Sequence, residues 1–129
     1  MTPEPADTAP TDPLTVLVDD TRDFKDGRPA LTARTSAEAV ALLESLADRA
    51  IHTLWLDYDL GGGDTAQPVV DHLLGLARAG TPAPVGTIRV HSSNIWHGRR
   101  VLDELVAAGY PAVRDYGAGR FVRRRQRAM

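Results

Sequence analysis

The sequence predicts an α/β domain with a mostly parallel sheet covered by helices, and three observations lead there. Short apolar runs alternate with amphipathic stretches along the chain. The apolar runs are nearly continuous rather than alternating with polar residues, as in strands buried on both faces. Three of these runs end abruptly in polar clusters, as strands do where an open α/β sheet binds ligands. A chain of 129 residues suits one domain of this kind and leaves little room for a second.

The elements follow in order. "LTVLV" (14–18) reads as a buried strand ending in Asp19-Asp20, and "TRDFKDGRPA" as a polar loop with Gly and Pro. "LTART" (31–35) reads as a short strand. Thr35 and Glu38 fit a capping box, and Ala39, Val40, Leu43, Leu46 and Ala47 then recur at helical spacing. "HTLWL" (52–56) is a second strand and delivers Asp57 and Asp59. After three glycines, "TAQPVVDHLLGLARAG" reads as a helix with Pro68 in its first turn and Gly80 as its stop. "GTIRV" (86–90) is a third strand and runs into "HSSN". A helix over about 97–108 ends at Gly109, and "PAVRDY" is a last short strand. The stretch from Asp20 to Leu31 is short for a helical crossover between parallel strands, so the first helix is expected to be shortened or missing. Residues 1–12 are read as a disordered, acidic, Pro-rich leader, residues 13–116 as the domain, and residues 117–129 as a solvated Arg-rich tail.

Composition narrows the function. A net charge of −2 predicts no general attraction to nucleic acid or anionic membranes, leaving only the tail as a contact for polyanions. The absence of Cys excludes thiolate chemistry and disulfides. No apolar run approaches the roughly 18–20 residues that span a bilayer, and the leader does not read as a signal peptide. A cytoplasmic location is expected.

The polar strand ends carry the chemistry. Asp19, Asp20 and Asp57 converge if their strands are neighbours, and three close carboxylates need a cation to stay ionised. Mg²⁺ or another divalent cation takes such oxygen ligands together with substrate phosphate. The alternative is a set of aspartates that cap loops and helix starts. Asp59 is a further ligand or a base, or else a cap on the glycine turn. Ser92, Ser93 and Asn94, close to a helix start, can donate to phosphate oxygens, and His91 can carry protons near neutral pH. Ordinary capping would also account for these three polar residues. Arg22 offers a bidentate clamp for phosphate, or a loop salt bridge with Asp23 or Asp26. Trp55 and Trp96 read as core and rim packing; His97, Arg99 and Arg100 read as surface.

The motifs "LVDDTRD", "LWLDYDLGGGDT" and "VHSSN", with "TARTSAEAVALLESL" between the first two, together resemble the cyclic-phosphate processing receiver domain family over about residues 14–115. The resemblance implies a receiver-like, flavodoxin-like three-layer fold and a pocket that binds, and hydrolyses, a cyclic phosphate or cyclic nucleotide. By position it implies that Asp19 and Asp20 form the first acidic pair, Asp57 and Asp59 the second, and His91, Ser92 and Asn94 the last motif. Tyr58 departs from the family pattern, which often has His there. The roles expected are catalytic for Asp57, His91 and Asp59, phosphate-binding for Arg22, Ser92, Ser93 and Asn94, and metal-binding for Asp19, Asp20 and Asp57. Two alternatives are a non-catalytic nucleotide sensor and an ordinary phosphoacceptor receiver. In the second, Asp57 would take the phosphoryl group and Ser92 the place of the switch hydroxyl. Those receivers also use a Lys at the end of the last strand, whereas the only Lys here is Lys25, in the first loop.

Overall fold

The computed structural model describes residues 13–123. The chain runs β1 (Thr15–Val18), β2 (Arg22–Phe24), β3 (Leu31–Ala33), α1 (Ser36–Ser45), β4 (Ile51–Leu56), α2 (Gln67–Arg78), β5 (Val85–Val90), α3 (Ile95–Ala107), β6 (Ala112–Arg114) and β7 (Phe121–Arg123), with a 3₁₀ turn at Ala118–Arg120. Five strands form one sheet in the order β3-β1-β4-β5-β6, and every pairing in it is parallel. The expected α/β architecture is therefore present. Among the described residues no helix is long and apolar enough to cross a membrane.

Strand alternation sorts the two faces. Val16 and Val18 of β1, Leu54 and Leu56 of β4, and Ile88 and Val90 of β5 share one buried cluster with Ala39, Leu43, Val69, Val70, Leu73, Val101 and Leu105 of the helices. All three helices thus cover a single face. Leu17 and Trp55 point the other way and pack with Phe24 and Phe121.

That second face lacks the helix a receiver-like fold would place between the first two parallel strands. In its stead, β2 and β7 pair antiparallel as a small ribbon, with Phe24 opposite Phe121. The short Asp20–Leu31 connection is the cause, because it holds one three-residue strand and a turn but no helix. The third layer is a β-ribbon rather than helices. The loop expected over residues 21–30 therefore contains a strand, and the expected tail begins later than Gly117. Residues 121–123 are part of the fold, while the leader 1–12 and the remaining tail residues 124–129 lie outside the described residues.

Local signals explain the helix starts. The Thr35 hydroxyl accepts from the Glu38 amide at 3.1 Å, and the Glu38 carboxylate reaches back to the Arg34 amide at 2.8 Å, one residue earlier than the usual capping box. Asp64 adds a second tether, accepting from both the amide and the hydroxyl of Ser36. The three glycines before it hold φ values of 78°, 60° and 82°, a left-handed run that residues with a Cβ avoid. Their function is the sharp turn that returns Asp64 to α1.

Phe121 is the anchor of the ribbon, with its ring 5.3 Å from that of Phe24 and 5.6 Å from that of Trp55. Phe121→Ala is expected to cost on the order of 3 kcal/mol in a urea unfolding curve. A change below about 0.5 kcal/mol, typical of an exposed tail position, would contradict the packing of this segment.

Candidate functional site

The site is a consequence of register. Val18, Leu56 and Val90 stand side by side across β1, β4 and β5, and all three point to the helices. The next residue on each strand must point to the ribbon face. Those residues are Asp19, Asp57 and His91. Each continues the ladder by one rung, with the Asp57 amide donating to the Val18 carbonyl and the His91 amide to the Leu56 carbonyl, both at 3.0 Å. All three side chains are buried, and one ligand atom from each lies within 4.8 Å of the others.

Arg22, on β2, locks the group together. Its Nε donates to Asp19 Oδ2 at 3.0 Å and its Nη2 to Asp57 Oδ2 at 3.4 Å. The backbone amides of Thr21 and Arg22 donate to Asp19 Oδ1, and His91 Nε2 lies 3.2 Å from Asp19 Oδ2. Burial pushes the Asp19 carboxyl up, but the hydrogen bonds from His91, Arg22 and Thr21 and the charge of Arg22 outweigh it and hold the pKa below the usual 3.8. Asp19 is thus ionised at neutral pH and can only accept, so Nε2 of His91 carries the proton between them. The other ring nitrogen, Nδ1, is buried without a hydrogen-bond partner among the described residues. Phe121 stacks on the imidazole with ring centroids 4.5 Å apart.

Asp57 behaves differently. Burial first, and then the neighbouring charge of Asp19, push its carboxyl from 3.8 up to about 6, and His91 and Arg22 offset this only in part. Two adjacent carboxylates in one environment therefore titrate far apart, as carboxylates with separate tasks do.

The other expected site residues are placed less centrally. Asp20 lies outside the ligand group; its Oδ2 sits 2.7 Å from where a Cβ on Gly61 would be, although its charge adds to the upward push on Asp57. Asp59 is exposed and accepts from Asn94 Nδ2 at 3.2 Å. Asn94 caps α3 by accepting from the His97 amide, and the Ser92 hydroxyl accepts from the Asn94 amide. These residues join the first glycine-rich loop to the start of α3 at the rim of the site. Ser93 is exposed at the same rim. Arg22 pairs with Asp19 and Asp57 rather than with Asp23 or Asp26, whose partners are Arg34 and Arg28. Tyr58 is turned to the helix side, stacked on His97 with its hydroxyl held by Arg100, so His97 and Arg100 are more than free surface.

Beside His91 opens a cleft of about 260 Å³, lined by Arg22, Ser92, Ser93, Arg114 and Phe121 among others. Arg114 and Phe121 were not expected there. Arg114 crosses the start of α3 where Gly98 leaves room and donates to the carbonyls of Val90 and Ser92. Asp115, one rung beyond β6, accepts from Arg89 and lies 3.5 Å from Arg120. The signal for Phe121 was a lone large apolar residue within a run of arginines.

A parallel sheet with helices on one face and an acidic cluster beyond its strand ends defines a receiver-like α/β domain. Residues 14–107 match the family described as the cyclic-phosphate processing receiver domain, and the chain belongs to that family. No curated protein and no solved structure matches it.

The donor set suits a divalent cation. Two carboxylates with waters fit Mg²⁺, and an imidazole as third donor would shift the preference towards metals that accept nitrogen, such as Mn²⁺ or Zn²⁺. Because the Asp57 pKa is raised, the folded protein binds a proton there more tightly than the unfolded chain does. The contribution is therefore unfavourable at neutral pH: stability is expected to fall by on the order of 2 kcal/mol as pH rises from about 4 to about 6. Asp57→Asn should remove that slope in denaturation curves of the metal-free protein; an unchanged slope would refute the assignment. Added divalent cation should compete with the same proton and bind more tightly above pH 6 than below it.

Proposed function

We propose that this domain binds a cyclic phosphate ester in the cleft beside His91 and opens its ring by hydrolysis. The observation that carries the reading is the buried trio of Asp19, Asp57 and His91 tied by Arg22, of which His91 and Arg22 line a cleft that also carries hydroxyls and a second guanidinium. Family membership supports it.

In this reading the reaction is the attack of one water on phosphorus. One ester P–O bond breaks, the water's proton leaves for a base, and the departing oxygen gains a proton, leaving an acyclic phosphate monoester. Asp57, with its pKa near 6, is suited to take the first proton at neutral pH. His91, oriented by ionised Asp19, would deliver the second from Nδ1 when its ring carries a proton on both nitrogens. Its partnerless Nδ1 and the bound ligand would then satisfy each other. Arg22 holds Asp57 by its longer contact and can turn that arm to a non-bridging oxygen. Ser92, Ser93 and the start of α3 offer donors to the same group. A divalent cation on Asp19 and Asp57 would supply charge neutralisation and a more acidic water.

The phosphoacceptor alternative is less well supported. Opposite Asp57, on the neighbouring strand, stands His91 rather than a hydroxyl, so Ser92 does not take that place. At the end of β6 the next rung carries Asp115, a carboxylate where such receivers need a Lys. A sensor without turnover would use the same cleft.

Turnover of nucleoside 2′,3′- and 3′,5′-cyclic phosphates with Mg²⁺ or Mn²⁺ tests the proposal. Asp57→Asn and His91→Asn are each expected to lower the rate by about 100-fold or more. Wild-type binding without product would leave a sensor, and rates unaffected by either substitution would remove these residues from the chemistry. Incubation with a small phosphoryl donor should leave Asp57 unmodified in an intact-mass spectrum.

A further inference from the structure

A groove of about 580 Å³ runs from the cleft along α3, between Trp96, Arg100 and Glu104 on one side and Arg114 and Tyr116 on the other. It is not a separate feature, because Ile95, Arg114 and Tyr116 line both cavities. Its volume falls within the roughly 300–1,000 Å³ of small-molecule sites.

Three observations describe what would fit. Ile95, Trp96 and Tyr116 are 74%, 74% and 78% exposed, a concentration of large apolar and aromatic surface that soluble domains seldom leave idle. The Tyr116 ring already packs against the Arg114 guanidinium, 5.0 Å from its centroid, so the wall next to the phosphate cleft is a stacked cation and aromatic ring. Glu104, whose side chain is 36% exposed, turns one carboxylate oxygen to Arg100 at 3.1 Å, while the other, Oε1, has no hydrogen-bond partner among the described residues. A small turn of this partly exposed side chain would present the unpaired acceptor to a ligand that brings an N–H.

The geometry points to a nucleobase in this groove, stacked against Trp96 and Tyr116 and donating an N–H edge to Glu104, with its sugar phosphate lying in the cleft beside His91. The inference rests on the cyclic-phosphate reading and narrows it to nucleotides, with bases that present N–H donors preferred over ligands that have no base. Guanine, whose ring N–H and amino group are both donors, can supply that N–H to the one oxygen that Arg100 leaves free. Arg114, at the end of β6, and Tyr116, just beyond it, follow the residues matched to the family, so this wall of the groove lies outside the matched region.

Equilibrium binding to the full chain in Mg²⁺ buffer tests it, with guanosine 2′,3′-cyclic phosphate and the base-free methyl riboside 2,3-cyclic phosphate as probes. The guanosine compound should bind about tenfold or more tightly than the base-free one, as one stacked base contributes. It should also quench the emission of exposed Trp96, one of two tryptophans. Trp96→Ala and Glu104→Ala, which line the groove but not the cleft, should each erase most of that difference while leaving the base-free compound's affinity unchanged. Equal affinity of the two probes in the wild type would overturn this inference and leave the cyclic-phosphate reading standing. Failure of both probes to bind would remove both. A wild-type chain that sediments as a dimer even when saturated with the guanosine compound would assign the groove to a second copy and also overturn it.

Discussion

The buried contact between Asp19 and Arg22 is the constraint on which the rest depends. Asp19 is wholly buried, and an ionised carboxylate in that position is tolerable only because a guanidinium, two backbone amides and an imidazole converge on it. Three of those four groups come from residues 21 and 22, immediately after the turn that follows β1. The turn must therefore bring β2 directly over the strand ends. It cannot first lead into a helix. One electrostatic requirement thus fixes the chain path that replaces the first helix, and with it the shape of the second face.

That path has consequences for the packing. A helix on the second face would bury a wide area of Leu17 and Trp55, whereas a ribbon of two three-residue strands covers less. Phe24 and Phe121 compensate by stacking on each other and around Trp55. Arginines complete the cover: the guanidinium groups of Arg28, Arg89 and Arg120 lie 5.4–5.9 Å from the Trp55 ring centroid. The prevalence of Arg over Lys suits this arrangement, because a planar, weakly hydrated cation lies flat on an indole face better than an ammonium does. Phe121 also stacks on His91, so the same residue that closes the small core holds the imidazole in place.

Much of this was legible in the residues. The buried strands could be read from "LTVLV" and "HTLWL", whose apolar residues run nearly without a break, and from "GTIRV", whose buried Ile88 and Val90 alternate with polar residues. Asp19, Asp57 and His91 could be read because each is the first residue beyond such a run, and neighbouring parallel strands in register present those positions together. Asp20 was read with them because adjacency in sequence looks like adjacency in space. Strand alternation sends it instead towards Gly61. The ribbon was not legible: "RDF" and "FVR" are three residues each, lie far apart along the chain, and carry charges that resemble a loop and a tail. Only their pairing makes either one a strand, and pairing is a tertiary fact. The unpaired acceptor on Glu104 was equally out of reach, since an ordinary Arg-Glu pair at helical spacing gives no sign that one oxygen lacks a donor.

The two carboxylates also differ in how far one arginine balances them. Asp19 is ionised and holds Arg22 by a short contact. Asp57, whose pKa is raised to about 6, gives up its proton by neutral pH with only the longer second contact to offset its charge. A full negative charge on Asp57 therefore calls for more positive charge than Arg22 alone supplies. On the proposed reading, a divalent cation provides it and competes with Arg22 for the Asp57 carboxylate, which frees the guanidinium arm at the moment a phosphate enters. Occupancy by cation and by phosphate then favour each other, because each relieves a charge that the other leaves unbalanced. The pair of aspartates is thus better understood as an incomplete charge balance than as a preformed cage, with the ligand supplying what the fold withholds.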